Sequence, residues 1–340
     1  MKAIAPGKII ISGEHAVVYG TPALAVAVNI HAQCEVKPVQ DAVVHLYLDD
    51  FEGRKGRLAE CSLIELEHLR RRIDESYQAY LLGQKNISDV LTCPGNLYLY
   101  AIAGLFSALG IPLDRGFEVH LHSKIPMRSG MGSSAATVAS VLAAVAGYYG
   151  IQLDKEALFR FTSHTERLQH GCNSTIDPMV TVHGGLVRME NAQVETGQSL
   201  PELNWYLVNS GEPEVSTGQC VAEVRRRFGK SAIWNEFHNI ITGLEQSFLT
   251  RDVGALKEYV KRNHQLLVDI GVVPNTVQKF VEELRTRYNA AGKISGAGAV
   301  HGEKAGFLLV QSEEPITDLC GDYGFPVTRL QCDPYGVRLC

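Results

Sequence analysis

The sequence predicts an α+β enzyme of two lobes, on three observations. Its 340 residues are enough to bury a sizeable core, and more than one core of ordinary size usually holds. The first half interleaves strand-like and helix-like segments. The second half runs through long helical patterns before a glycine-rich loop and an apolar strand.

The first lobe is expected over residues 1–190 and the second over 191–340. In the first, "KIIIS" (8–12), "VVHLYL" (43–48) and "FEVHLHSKI" (117–125) alternate or are β-branched, and so predict strands. Helix-period segments at about 60–82, 94–109, 133–149 and 155–169 lie between and after them. The turn-rich stretch 184–211 marks the change of lobe and ends in a strand at 204–209. Helices are then expected at about 216–228, 232–250, 253–270 and 275–290, and a strand at "GFLLVQ" (306–311).

Composition excludes several classes of function. With 45% hydrophobic and 20% charged residues the chain is not a disordered one. A net charge of −5 offers no basic face for nucleic acid, so none is expected as a partner. The runs Arg70-Arg71-Arg72 and Arg225-Arg226-Arg227 have helical context and are expected on solvated helix faces. The N-terminus "MKAIAPGKII" lacks an apolar segment followed by a cleavage site, and the apolar stretch 135–149 is too short and too rich in small residues to span a bilayer. Cys34, Cys61, Cys93, Cys172, Cys220, Cys320, Cys332 and Cys340 form no CxxC pair or zinc spacing. Reduced thiols and a cytoplasmic location, with no membrane partner, are the expectation.

The stretch "IPMRSGMGSSAATVASVLAAVAGYYG" (125–150) carries the first chemical signal. Gly130 and Gly132 clear side chains from a loop, and Ser133 and Ser134 open a helix of small residues that Gly150 can end. Amide groups at a helix start favour an anion, so a phosphate fits here without the lysine that a Walker loop keeps beside its last glycine. A helix N-terminus that merely follows a turn is the plainer alternative.

Three other stretches bear on that choice. In "APGKIIISGEHAVVYGTPALAVAV" (5–28), Lys8 opens a strand and shares a face with Ser12. The lysine can reach an anion or be an ordinary solvated side chain, and Glu14 and His15 can act in a site or only cap a turn. In "ERLQHGCNSTIDPMVTVHGG" (166–185), Glu166 ends a helical pattern and Asp177 follows in a loop. Two carboxylates so placed suit magnesium and a polarised hydroxyl, because magnesium takes hard oxygen ligands. His164 and His170 flank the glutamate without a zinc spacing. In "GKISGAGAVHGEKAGFLLV" (292–310), Ser295, Gly296 and Gly298 form a tight loop before a strand.

Together and in this order, the four stretches resemble the GHMP small-molecule kinases. "APGKIIISGEHAVVYGTPALA" is similar to the family's N-terminal signature, "IPMRSGMGSSAA" to its P-x-x-x-G-L-G-S-S phosphate loop and "HGCNSTIDPM" to H-G-x-P-S-G-x-D. The resemblance implies a two-lobed fold with a left-handed βαβ unit in the N-terminal lobe, a ferredoxin-like C-terminal lobe, and an active site between them. It implies phosphoryl transfer from ATP with Mg2+ to the primary hydroxyl of mevalonate, in a homodimer. Lys8 then contacts the substrate hydroxyl or the aspartate, Asp177 takes the substrate proton, and Ser134 and Glu166 hold the metal. Gly130, Met131, Gly132 and Ser133 wrap the triphosphate, and Glu14, His15, Gly296 and Ala297 face the substrate.

The chain departs from the family pattern at several places. Met131 stands for leucine, Arg128 for glycine, Asn173 for proline and Thr175 for glycine. Ser295 replaces threonine in K-x-T-G-A-G-x-G-G-C, and His301, Glu303 and Lys304 stand where glycines are expected, in a short insertion. Three alternatives remain at this point: a kinase of the same family acting on a sugar or another alcohol, a decarboxylase of phosphorylated mevalonate that shares the fold, and a binding protein of the same fold without turnover.

Overall fold

Two β-sheets, each packed against helices, organise the chain in a computed structural model that describes residues 1–51, 54–126, 129–171, 175–190, 193–198 and 203–340. The first sheet begins with β1 (Lys2–Ser12) and β2 (Ala23–Pro38), antiparallel, with irregular steps at Pro6/Gly7 and Ile10/Ser12. A 3-10 turn, Ala16–Tyr19, lies between them. β3 (Val43–Phe51) and β4 (Arg54–Ser62) pair antiparallel; α1 (Leu63–Leu81) and α2 (Gly95–Leu109) then lead to β5 (Phe117–Ser123), which lies parallel to β3 and antiparallel to β2. After α3 (Ser133–Tyr148), α4 (Lys155–His170) and α5 (Ile176–His183), β6 (Leu186–Glu190) pairs with β2, and β7 (Gln193–Gln198) with β6.

The second sheet starts at β8 (Trp205–Asn209). Four helices follow: α6 (Thr217–Phe228), α7 (Ile233–Thr250), α8 (Val253–Asp269) and α9 (Asn275–Tyr288). Then come β9 (Ala291–Ile294), β10 (Phe307–Gln311), α10 (Thr317–Tyr323) and β11 (Val327–Arg329). The strand order β11-β8-β10-β9, antiparallel throughout, with helices after the first and third strands, is the ferredoxin-like arrangement expected for this lobe. The last strand, β12 (Arg338–Leu339), returns to pair with β1. Gln193–Gln198 and Arg338–Leu339, which a division at residue 190 gives to the second lobe, therefore both pair in the first sheet.

α3 is the centre of the first lobe. Every residue from Ala135 to Ala146 is buried, as for a helix apolar on all sides. Its small side chains let β1 and β2 pack on one flank and α2 and α4 on the others. Gly150, in the left-handed region at φ 71°, follows its last turn as expected. Burial of β1 and β2 residues such as Ile9, Ile11, Leu24 and Val26 contributes about 1.5–3 kcal/mol each.

The chain's end is fixed to this lobe by Asp333. Its carboxylate accepts from His31 Nε2 at 2.6 Å, from Arg338, and from the amides of Tyr335 and Gly336. Burial alone would raise its pKa; the hydrogen bonds from His31, Arg338 and the two amides outweigh that and bring it down to about 2.

Three local expectations are corrected. The helix placed at 60–82 starts at 63, because Ser62 and Glu65 form a reciprocal capping box and residues 54–62 are a strand. The 16-residue β2 was not expected as a strand, since its alanine-rich start has weak β preference. Asp177 lies not in a loop but in the first turn of α5, and Pro178, which reads as a breaker, is tolerated there.

Of the basic runs, Arg71, Arg225 and Arg226 are exposed, whereas Arg70 is partly enclosed between Glu67 and Asp74. Seven of the cysteines are free, and Cys172 lies outside the described residues. Among the described residues no helix is long and apolar enough to cross a membrane.

Candidate active site

The glycine-serine loop ends at Gly132, the residue preceding the first turn of α3. Gly130 and Gly132 have φ of 77° and 68°, which is the conformational reason both are glycine. No side chain caps α3, and the amides at an uncapped helix start favour an anion. Lys8 on β1 donates its backbone N–H to Met131 O at 2.9 Å, tying loop to sheet. The Met131 side chain is buried in the core, so its part in the loop is through its backbone.

Beneath this helix start, Lys8 Nζ lies 3.1 Å from Asp177 Oδ1. The lysine side chain is almost fully enclosed, 4% exposed, while the aspartate is 26% exposed. A Cβ built on Gly132 would stand 3.0 Å from Lys8 Cγ and 3.5 Å from Asp177 Oδ2. Loop, lysine and aspartate thus face one small volume. A cation, a carboxylate and helix-end amides converging there suit transfer of an anionic group to a hydroxyl.

On the other side of the helix start, Ser134 Oγ is 2.6 Å from Glu166 Oε1 and 2.7 Å from Gln169 Oε1. Glu166 does not end its helix, since α4 continues to His170 and so presents Gln169 one turn on. A hydroxyl, a carboxylate and an amide oxygen at one point are hard oxygen donors of the kind magnesium takes. Among the described residues no three His, Cys, Asp or Glu side chains gather for a metal, so an ion here would complete its shell with water and phosphate oxygens. Behind this set, Tyr98 OH donates to Thr137, whose hydroxyl donates to the carbonyls of Ser133 and Ser134. His164 lies elsewhere, stacked on Tyr100 and hydrogen-bonded to it at 2.9 Å.

The second lobe reaches this site through the loop after β9. Ile10 N donates to Ser295 Oγ at 2.9 Å, and a Cβ on Gly130 would meet Ser295 O at 3.6 Å and Gly296 Cα at 3.8 Å. His15 Nε2 lies 2.9 Å from Ala297 O, which also accepts from Cys220 Sγ. Burial lowers the His15 pKa, so the ring is neutral, donates from Nε2 and keeps an acceptor at Nδ1. His15 has φ 58°, a strained geometry for a non-glycine residue, of the kind found where surroundings enforce it. Those surroundings include Tyr19 stacked on Trp234 of α7 at 4.2 Å. Glu14 is wholly enclosed and binds Lys293 of β9.

Lys8, Asp177, Gly130, Gly132 and Ser133 therefore lie at one helix start, with Ser134 and Glu166 beside it and the 295–297 loop above. Glu14 and His15 belong to the lobe boundary. Gln169, Thr137, Tyr98 and Lys293 are additions that sequence reading missed; all but Tyr98 sit in the quoted stretches, where no residue pattern marks them out. Of the departures, Glu303 hydrogen-bonds Thr276 and Lys304 lies along Gly211, so both turn onto their own lobe. Arg128, Asn173 and the remainder of residues 172–174 lie outside the described residues, as does the side chain of His170.

Residues 96–185, from α2 to the turn after α5, match the family model of the GHMP kinases N terminal domain. The whole chain is similar to curated relatives named mevalonate kinase. One from Methanocaldococcus jannaschii is 26% identical over 91% of both chains, and one from Archaeoglobus fulgidus is 29% identical over 93% of this chain and 94% of its own. The solved mevalonate kinase of Methanococcus jannaschii superposes with a TM-score of 0.80 over 97% of this chain and 98% of its own, at 22% identity, a likeness of fold. Residues 96–185 thus match the GHMP kinases N terminal domain, and the chain is similar to mevalonate kinases in sequence over about nine tenths of its length and in fold over nearly all of it.

Proposed function

We propose that this kinase transfers the γ-phosphoryl group of ATP to the primary hydroxyl of mevalonate. The observation that carries the chemistry is the meeting of Lys8 and Asp177 under the uncapped start of α3. The choice of alcohol is supported by the relatives named mevalonate kinase, which match this chain over about nine tenths of its length.

Asp177 orients the hydroxyl and accepts its proton as the oxygen attacks phosphorus. The bond from the γ-phosphorus to the bridging oxygen breaks, and ADP leaves with that electron pair. Lys8 and the first amides of α3 stabilise charge on the transferring group, in a site already organised before reaction. Ser134 and Glu166, with Gln169 beside them, would hold Mg2+, which when bound neutralises phosphate charge. Gly130, Gly132 and Ser133 wrap the triphosphate; Glu14, His15, Gly296 and Ala297 face the alcohol. Two lobes dividing near residue 190, a homodimer and a cytoplasmic location complete the proposal, and sedimentation velocity checks the dimer.

The deciding experiment measures ADP release with ATP, Mg2+ and a panel of mevalonate, galactose and homoserine. Mevalonate should exceed the others by orders of magnitude. A preference for a sugar or an amino alcohol would reject the substrate, and ATP binding without ADP release with any of them would reject the kinase activity.

A further inference from the structure

Lys293 and Glu14 form the most deeply enclosed ion pair among the described residues, their side chains 0% and 1% exposed. They come from opposite sides of the lobe boundary, β9 and the turn after β1. Burying two charges is costly, and an apolar pair of the same volume commonly serves stability as well or better. Packing alone therefore gives no reason for these two residues.

The geometry around the pair supplies one. Lys293 Nζ donates to Glu14 Oε1 and, at 2.7 Å, to Ile294 O. Glu14 Oε2 is buried and has no hydrogen-bond partner among the described residues; Ser12 Oγ and His15 Nδ1, on the same turn, share that condition. Lys8 is close enough to act on the Glu14 carboxylate electrostatically. The unpartnered oxygen thus sits in the neighbourhood of the Lys8–Asp177 pair. Buried polar groups in native proteins usually have a partner, and an acceptor beside a reacting centre can find it in what binds there.

We propose that Lys293 is a positioning residue for the phosphoryl transfer: by binding Glu14 Oε1 across the lobe boundary, it presents Oε2 as an acceptor for a non-reacting hydroxyl of the alcohol. This rests on the kinase function proposed above, and on Glu14 facing the substrate. The groups acting on Glu14 are Lys293 from β9 and Lys8 from β1, with neutral His15 beside it in sequence. His264 of α8 in turn feels Lys293. Burial raises the Glu14 pKa, and the Lys293 ammonium is the main opposing influence. Without that ammonium the carboxyl keeps its proton to higher pH, and the acceptor is lost.

The test compares wild type with Lys293→Met, Glu14→Gln and the double variant. For Lys293→Met, kcat/KM for mevalonate should fall about 10- to 100-fold, the scale of one hydrogen bond to a charged group, while KM for ATP changes less than about threefold. The acid limb of its kcat/KM profile should move to higher pH, because the working form is the deprotonated one and the pKa has risen. In Glu14→Gln/Lys293→Met the displaced limb should vanish, and thermal stability should recover relative to Lys293→Met, since no unpaired buried charge remains. Lys293→Met with a lowered melting temperature but unchanged KM for mevalonate and an unmoved acid limb overturns the proposal, because that is what packing alone gives. A wild type that phosphorylates a different alcohol rejects mevalonate instead, and the same variants then read Lys293 with that alcohol.

Discussion

Lys8 Nζ and Asp177 Oδ1 meet at 3.1 Å although the two residues come from the first strand of the chain and the first turn of α5. The contact is made under Gly132, where no side chain separates the pair from the start of α3. Removing the carboxylate's capacity to accept a proton while keeping its shape isolates its chemical role. Asp177→Asn is expected to lower kcat by about 100-fold or more, the scale of a lost acid–base group, with KM for ATP little changed. A coupled ADP assay reads this directly, and unchanged turnover would remove Asp177 from the reaction.

Ser134 Oγ lies within hydrogen-bond distance of both Glu166 Oε1 and Gln169 Oε1, and these are the hard oxygen donors proposed to hold Mg2+. Glu166→Gln keeps the shape and removes the charge. The Mg2+ concentration for half-maximal activity is expected to rise by about 10-fold or more, the scale of metal-site perturbations, with activity partly restored at high Mg2+. A magnesium titration at fixed ATP checks it; an unchanged midpoint would place the metal elsewhere.

The parts of the site legible in the sequence are those written in backbone geometry over a few residues. Gly130 and Gly132 announce positive φ, Ser133 and Ser134 a helix start, and the order of four motifs supplies their common purpose. Lys293 was not legible as Glu14's partner, since the contact joins residues 279 apart and depends on how two lobes pack. Gln169 was missed because the expected helix over about 155–169 does not show which of its residues faces Ser134, and α5 because Pro178 reads as a breaker. In the second lobe β8, the four long helices and β10 were legible from periodicity, whereas β9, α10 and β11, of 4, 7 and 3 residues, were too short to show a period. The return of residues 338–339 to β1 was not, because two residues carry no period.

Asp333 ties that return to the first lobe, and its pKa of about 2 sets the sign of a pH effect. The folded value lies below the ordinary aspartate value of 3.8, so the stabilisation is fully present above about pH 4 and is lost as pH falls towards about 2. Asp333→Asn should destabilise by about 1.5–3 kcal/mol at neutral pH, the scale of hydrogen bonds to a charged group. The difference between wild type and variant in urea unfolding should shrink as pH is lowered through that window. A constant difference would show that the carboxylate charge is not what holds the tail.

Gly132 and Gly150 separate backbone strain from site geometry. Both lie in the left-handed region, at φ 68° and 71°, so alanine at either carries a similar conformational cost of about 1–2 kcal/mol. Around Gly150 nothing lies within 4 Å of an added Cβ. At Gly132 that atom meets Lys8 Cγ at 3.0 Å, so the lysine must give way, while Asp177 Oδ2 at 3.5 Å stays in ordinary contact. Displacement by a fraction of an ångström is enough to disturb a positioned reaction. Gly150→Ala should therefore lower the melting temperature and leave kcat within about twofold of wild type, whereas Gly132→Ala should lose at least about 10-fold in kcat for a comparable loss of stability. Thermal unfolding and steady-state kinetics on the two variants make the comparison. Equal kcat values would mean that the close approach of loop, lysine and aspartate does not set the rate.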